Sequence, residues 1–206
     1  MKEADVYSEL ASIRSLMERS AKFISLSGLS GVMAGIYALV GSFFAYRVLY
    51  KNSGTWTDPN FEAYTADIWP QLTIIAGIIL ILSVTTGLVL SARQAKKEGQ
   101  PFWNPVSKRL FAQMTLPLIT GGLFIVILLS NDDFHLIAPA CLLFYGLSLV
   151  AGSHYTFSDV KWLGICEIAL GLFCAAFPNY GLVFWAFGFG ILHVLYGSIM
   201  HFKYKQ

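Results

Sequence analysis

Of 206 residues, 56% are hydrophobic and only 13% charged, about half the charged share of an ordinary soluble domain, so most of the chain has no need of water and the class it defines is an integral membrane protein. The formal net charge of +2, with no long run of Lys and Arg, leaves no phosphate-binding patch; nucleic acid is not an expected partner, and the lipid bilayer is. Cys141, Cys166 and Cys174 all fall inside apolar segments. The last two lie about 12 Å apart along one helix, so the cysteines carry no redox signature.

In chain order, residues 1–22 are charged throughout and lack the short apolar core of a cleavable signal peptide. Val6, Leu10, Ile13 and Met17 recur at helical spacing, acidic residues early and basic late, which predicts a cytoplasmic amphipathic helix. It either lies on the inner membrane surface or, through residues 2–22, recruits a cytoplasmic protein partner. About 20 apolar helical residues cross the hydrocarbon layer, and charge-free runs predict six such spans near residues 23–46, 68–92, 110–130, 136–153, 162–177 and 182–202. The last two come from one run interrupted by Pro178, Asn179, Tyr180 and Gly181, a tight-turn signal. Between the first two spans, Asp58 followed by Pro59 reads as the cap of a short interfacial helix. Residues 203–206 form a short tail.

Basic residues in short loops stay on the cytoplasmic side. With the N-terminus inside, of the 14 Lys and Arg only Arg47 and Lys51 fall outside. The even span count then places both termini in the cytoplasm. The fold class expected is therefore all-α: a polytopic membrane protein of six transmembrane helices in three hairpins, plus the N-terminal helix.

In lipid, helices associate through close packing and interhelical hydrogen bonds, so small residues at three-and-four spacing mark packed faces. Gly28, Gly31, Gly35, Ala38, Ser42 and Ala45 form one such stripe on the first span, Gly164, Glu167, Gly171 and Cys174 another on the fifth, and Ala186, Gly190, His193 and Gly197 a third on the sixth. The first stripe offers a face for a homodimer. The other two each hold one ionisable residue at matching depth from the turn, which makes Glu167 and His193 the candidate intramembrane pair if the two glycine stripes face each other. Tyr145 and Ser148 on the fourth span are possible neighbours, with Tyr37 and Tyr196 further candidates.

A carboxylate at bilayer depth costs roughly 2.5–3.5 kcal/mol on insertion scales, so it is faced inward, paired or protonated. A histidine beside a carboxylate in low dielectric exchanges a proton near neutral pH, which gives the functional reading: a proton-responsive or ligand-binding site. The competing readings are a structural pair that fixes helix register without any ligand, and a Glu167 that is protonated and donates to a backbone carbonyl. Enzyme chemistry finds little apparatus. No GxSxG, HExxH, GxxxxGK[ST] or CxxCH motif occurs. Of the four histidines, His135 and His154 bracket the fourth span about 28 Å apart and cannot share an ion, while His154 and His201, the one pair able to clamp a haem, stand at the boundary as solvated interfacial residues do. No catalytic residue, metal or cofactor is assigned. Pro117 and Pro139 lie inside spans as in some transporters, and the alternative function is a small transporter or channel subunit acting as an oligomer, with a membrane metalloenzyme further off.

The stretch ELASIRSLMERSAKFISLSGLSGVMAGIYAL, residues 9–39, resembles the start of a group of small bacterial six-span integral membrane proteins with no established activity, some of them labelled carotene oxygenases. The resemblance covers 31 of the 206 residues. What it implies is a bacterial inner-membrane location; it carries over no activity and no site residue.

Overall fold

A computed structural model of the protein describes residues 27–49 and 68–204. The amphipathic helix expected before residue 23, the capped helix expected at Asp58 and the tail after Tyr204 lie outside these residues. Among the described residues the chain is all-helical, without strands. The long helices are α1 (Gly28–Leu49), α2 (Ile68–Lys97), α3 (Pro105–Ser130), α4 (Ile137–Gly152) and α5 (Asp159–Ala176). A sixth helical segment is built from α6 (Gly181–Trp185), a π-helical stretch (Ala186–Leu192) and α7 (His193–Lys203).

Local chemistry sets the helix ends. At Gly99, with φ +68°, a Schellman closure ends α2: Gly99 N–H reaches the Lys96 carbonyl at 3.2 Å and Gln100 N–H the Ala95 carbonyl at 3.0 Å. Lys96 and Lys97 in the last turn complement the helix dipole. Asn104 opens α3 in a reciprocal capping box, its Oδ1 accepting from Ser107 N–H at 2.8 Å while its own N–H donates to Ser107 Oγ at 2.9 Å, with Pro105 at the first helical position. Asn104→Ala is accordingly expected to lower stability by about 0.5–2 kcal/mol, seen as an earlier thermal melt in detergent with helix content unchanged. The break expected between residues 177 and 182 falls at the short 3-10 turn Pro178–Tyr180. Pro117 sits inside a continuous α3, whereas Pro139 occupies the first turn of α4, where no N–H is required, so it opens nothing.

Among the described residues five segments are long and apolar enough to cross a membrane: Gly28–Leu49, Ile68–Lys97, Pro105–Ser130, Phe134–Tyr155 and Pro178–Lys203. The remaining long helix, α5, carries Asp159, Lys161 and Glu167 within its 18 residues and falls short of that standard.

The packing differs from three hairpins side by side. α4 and α5 form the closest pair, α3 packs on α4, and α1 packs on both α2 and the sixth segment. α5 and α7, joined through a tight turn, touch far less. The reason lies in the glycines. A Cβ on Gly146 of α4 would stand 2.7 Å from the Gly164 carbonyl of α5, and one on Gly164 equally close to the Gly146 carbonyl, so those backbones meet directly. Gly171 abuts Leu143 of α4. Gly28, Gly31 and Gly35 of α1 lie against Gly197 and Gly190 of the sixth segment in the same manner. Two corrections follow. The stripes on the fifth and sixth spans do not face each other: Gly164 and Gly171 face α4, while Gly190 and Gly197 face α1. The first-span stripe is likewise covered within the chain, its glycines by the sixth segment.

The end of the sixth segment is tied to the start of α5 by Lys203 Nζ to Asp159 Oδ2 at 2.8 Å, with the Tyr204 hydroxyl donating to the same oxygen at 2.9 Å. Hydrogen bonding from Lys203 holds the Asp159 carboxyl below the usual carboxylate range, partial burial opposes this, and Tyr204 reinforces it. A carboxyl depressed in the folded state contributes stability that is present above the unfolded value of about 3.9 and lost as pH falls through the lower folded value. Asp159→Asn is therefore expected to melt slightly earlier than wild type near neutral pH, the gap closing below about pH 4. A gap that persists in acid would assign the effect to something other than this ionised pair. The effect is small because the pair is half in water.

Candidate functional site

Glu167 occupies the buried face of α5 and is 0% exposed; His193, the first residue of α7, is 5% exposed. Their side chains meet, with His193 Nδ1 3.4 Å from Glu167 Oε1. That is ion-pair distance, yet neither carboxylate oxygen has a hydrogen-bond partner among the described residues. Nδ1 is instead engaged with the backbone carbonyl of Gly188 at 3.0 Å, and Nε2 lies 2.8 Å from the Tyr145 hydroxyl of α4. A carbonyl can only accept, so Nδ1 carries a proton. In the neutral ring Nε2 then accepts from Tyr145 O–H, and the tautomer is set by its surroundings.

Gly188 admits the carboxylate. A Cβ at that position would stand 2.6 Å from Glu167 Oε2 and 2.6 Å from Leu142 Cδ2, so any side chain there would displace Glu167. The π-helical stretch Ala186–Leu192 supplies the second requirement, since it widens the helix immediately before His193 and lets the imidazole turn back onto the carbonyl five residues earlier. Such π segments recur at functional sites. Phe189 closes the cluster from the side, its ring centroid 5.1 Å from that of Tyr145 and 6.0 Å from that of His193.

The cluster thus unites Glu167, His193 and Tyr145 from three helices. The other expected neighbours go elsewhere. Ser148 donates to the Met114 carbonyl of α3 at 3.1 Å, and Tyr37 lies 3.3 Å from Thr86 Oγ1 on α2. Tyr196 packs on the neighbouring apolar cluster of Leu149, Val160 and Leu163. Its buried hydroxyl has no hydrogen-bond partner among the described residues. Gly188 and Phe189 were missed by sequence reasoning. The signal available was the alternation Gly-Phe-Gly at residues 188–190, two poor helix formers within three residues of an otherwise regular run.

His135 and His154 are exposed at the two ends of α4, and His201 is half-buried near the end of α7. Among the described residues no three His, Cys, Asp or Glu side chains converge as a metal site would require.

Two arrangements of the cluster hold the same number of protons: a carboxylic acid beside a neutral imidazole, and a carboxylate beside an imidazolium. In the second, Nε2–H donates to the Tyr145 oxygen while Nδ1–H still faces Gly188 and Glu167. One further proton gives a net charge of +1, one fewer gives −1, and among the described residues no other charged side chain pairs with either group. An all-helical protein with five membrane-capable helices and a buried, water-excluded acid and base is the class that fold and site define. Comparison of the chain with protein-family models, with characterised proteins and with solved structures finds no match. The functional argument therefore rests on the site itself.

Proposed function

We propose that this is a six-span protein of a bacterial cytoplasmic membrane, both termini in the cytoplasm, that responds to protonation through Glu167, His193 and Tyr145 and performs no covalent chemistry. In this reading α5 is also a span, the fifth in chain order, tolerated despite its charges because Asp159 and Lys161 lie in its first turn, at the interface, and Glu167 faces inward. The basic residues of the loops support the orientation. The observation that carries the reading is the fully buried Glu167 carboxyl with no hydrogen-bond donor among the described residues, in contact with an imidazole whose two nitrogens are both engaged. A pair needed only to fix helix register would be expected to satisfy its own hydrogen bonds. Leaving the carboxyl unsatisfied keeps its two protonation states closer in energy.

The test is infrared difference spectroscopy of the protein in vesicles across pH 5 to 9. A carboxylic acid C=O band that titrates, disappears in Glu167→Gln and shifts its midpoint in His193→Gln is the expected result. A band that never changes, or that ignores His193, would leave the pair as a structural fixture. Proton flux into reconstituted vesicles, absent in this reading, would instead establish the transporter.

A further inference from the structure

Between α1 and α2, from Ile36 and Leu82 to the end that carries Arg47, lies a partly open groove of about 1260 Å³. Its described lining is mostly apolar, with Val40 and Phe44 of α1, Ile75 and Ile78 of α2, and Ile79 packed over Gly41 at the floor, and it also carries the polar side chains of Tyr37, Tyr46 and Gln71. Among the described lining residues Arg47 is the single charged one. It is exposed, and among the described residues no carboxylate pairs with it.

Three features together identify the occupant. The volume exceeds the roughly 300–1,000 Å³ of a small-molecule pocket, so the ligand is extended. The mostly apolar lining calls for hydrocarbon along much of its length. Arg47 lies 19 residues beyond Gly28 in the same helix, which at 1.5 Å per residue is about 29 Å, the thickness of the hydrocarbon layer. The guanidinium therefore stands at headgroup depth while the groove runs back into the acyl region. A planar fork of N–H donors suits the bidentate geometry of a phosphate.

We propose that the α1–α2 groove is a binding site for one anionic phospholipid, with acyl chain between Val40, Phe44, Ile75 and Ile78 and its phosphate on Arg47. The inference depends on these two helices crossing the bilayer and is independent of the proton-responsive cluster. It also bears on α2, whose main packing partner among the described helices is α1 and which exposes many large apolar side chains, Ile74, Ile78, Leu80 and Ile81 among them.

The test is native mass spectrometry of the protein released from vesicles of equal phosphatidylglycerol and phosphatidylcholine. Wild type is expected to retain one phosphatidylglycerol. The attraction of one basic side chain for an anionic headgroup corresponds to about a fivefold preference, so Arg47→Gln should reduce retention about fivefold and Arg47→Lys should restore most of it. Val40→Trp, which fills the groove and leaves Arg47 in place, should expel the lipid, while Lys108→Gln, at an exposed site on α3, should change nothing. Equal retention in wild type and Arg47→Gln, equal loss in Lys108→Gln, or retention by Val40→Trp would overturn the proposal. So would release as a dimer without lipid, which would give the groove to a second copy, or failure of any variant to alter a lipid-free wild type, which would give it to the connector of residues 50–67.

Discussion

Replacing His193 by alanine is expected to cost either about 3–5 kcal/mol or about 1–3 kcal/mol, and the size tells which proton arrangement the cluster adopts. The larger figure applies if Glu167 and His193 are ionised, because the variant strands a charge at a position with 0% exposure. The smaller applies if both are neutral, because what is then lost is the Tyr145 bond at 2.8 Å and the Gly188 bond at 3.0 Å. Glu167→Gln separates the cases again. It keeps the shape of the side chain and removes the charge, so it should cost nearly as much as His193→Ala in the ionised arrangement and little in the neutral one. The double variant closes the cycle: strong non-additivity marks an ion pair, and near-additivity marks two neighbours that share a pocket. The measurement is unfolding in mixed micelles for the four proteins at one pH. Four melts that coincide would remove the cluster from any account of stability.

Gly197→Ala should be the more disruptive of two changes that look equivalent in sequence. A methyl group at Gly197 would lie 2.5 Å from the Val32 backbone nitrogen and 2.7 Å from the Gly28 carbonyl. These are backbone atoms, so α1 and the sixth segment must separate along their whole crossing, and overpacking of this kind costs about 1–3 kcal/mol or more. The same change at Gly87 meets nothing within 4 Å and should be silent or slightly stabilising, since alanine favours a helix. A lower yield of folded protein and an earlier melt for Gly197→Ala, with Gly87→Ala unchanged, is the expected pattern; equal effects would mean that the close helix crossing contributes no stability.

The same contrast shows how far the sequence could be read. Composition and charge-free runs reveal the helical, membrane-capable character of the chain because hydrophobicity is a property of each residue and needs no partner. Helix ends were legible to within a few residues where a local code exists, as at Pro178, but α2 continues to Lys97 rather than stopping near residue 92, because arginine and lysine favour a helix as well as apolar residues do. α5 marks the limit of that method. It packs deep against α4, yet its three charges keep it below the apolar standard that the other five segments meet.

For the site, small-residue spacing showed that Glu167 and His193 lie on packed faces, and counting from the turn placed them at similar depth. Both are facts about single helices. The route by which they meet was not accessible, because a glycine stripe says that something approaches without saying what. Gly164 meets α4, Gly197 meets α1, and the contact that joins the pair runs through Gly188, which lies on neither stripe. Ser148 shared a helix face with Tyr145 in projection, but it turns to α3 while Tyr145 reaches His193.

What the sequence determined by itself is the solvent the chain is built for, its helical character and the approximate extent of its apolar segments, and the presence of one acid and one base that apolar surroundings oblige to find partners. Only the tertiary structure decided that Tyr145 completes the cluster, that the π-helical stretch turns His193 onto the Gly188 carbonyl, and that the glycine face of α1 is spent within the chain. The physical reason is that burial and charge are summed residue by residue along one chain, whereas the partners of a packed face are chosen by shape among all helices at once.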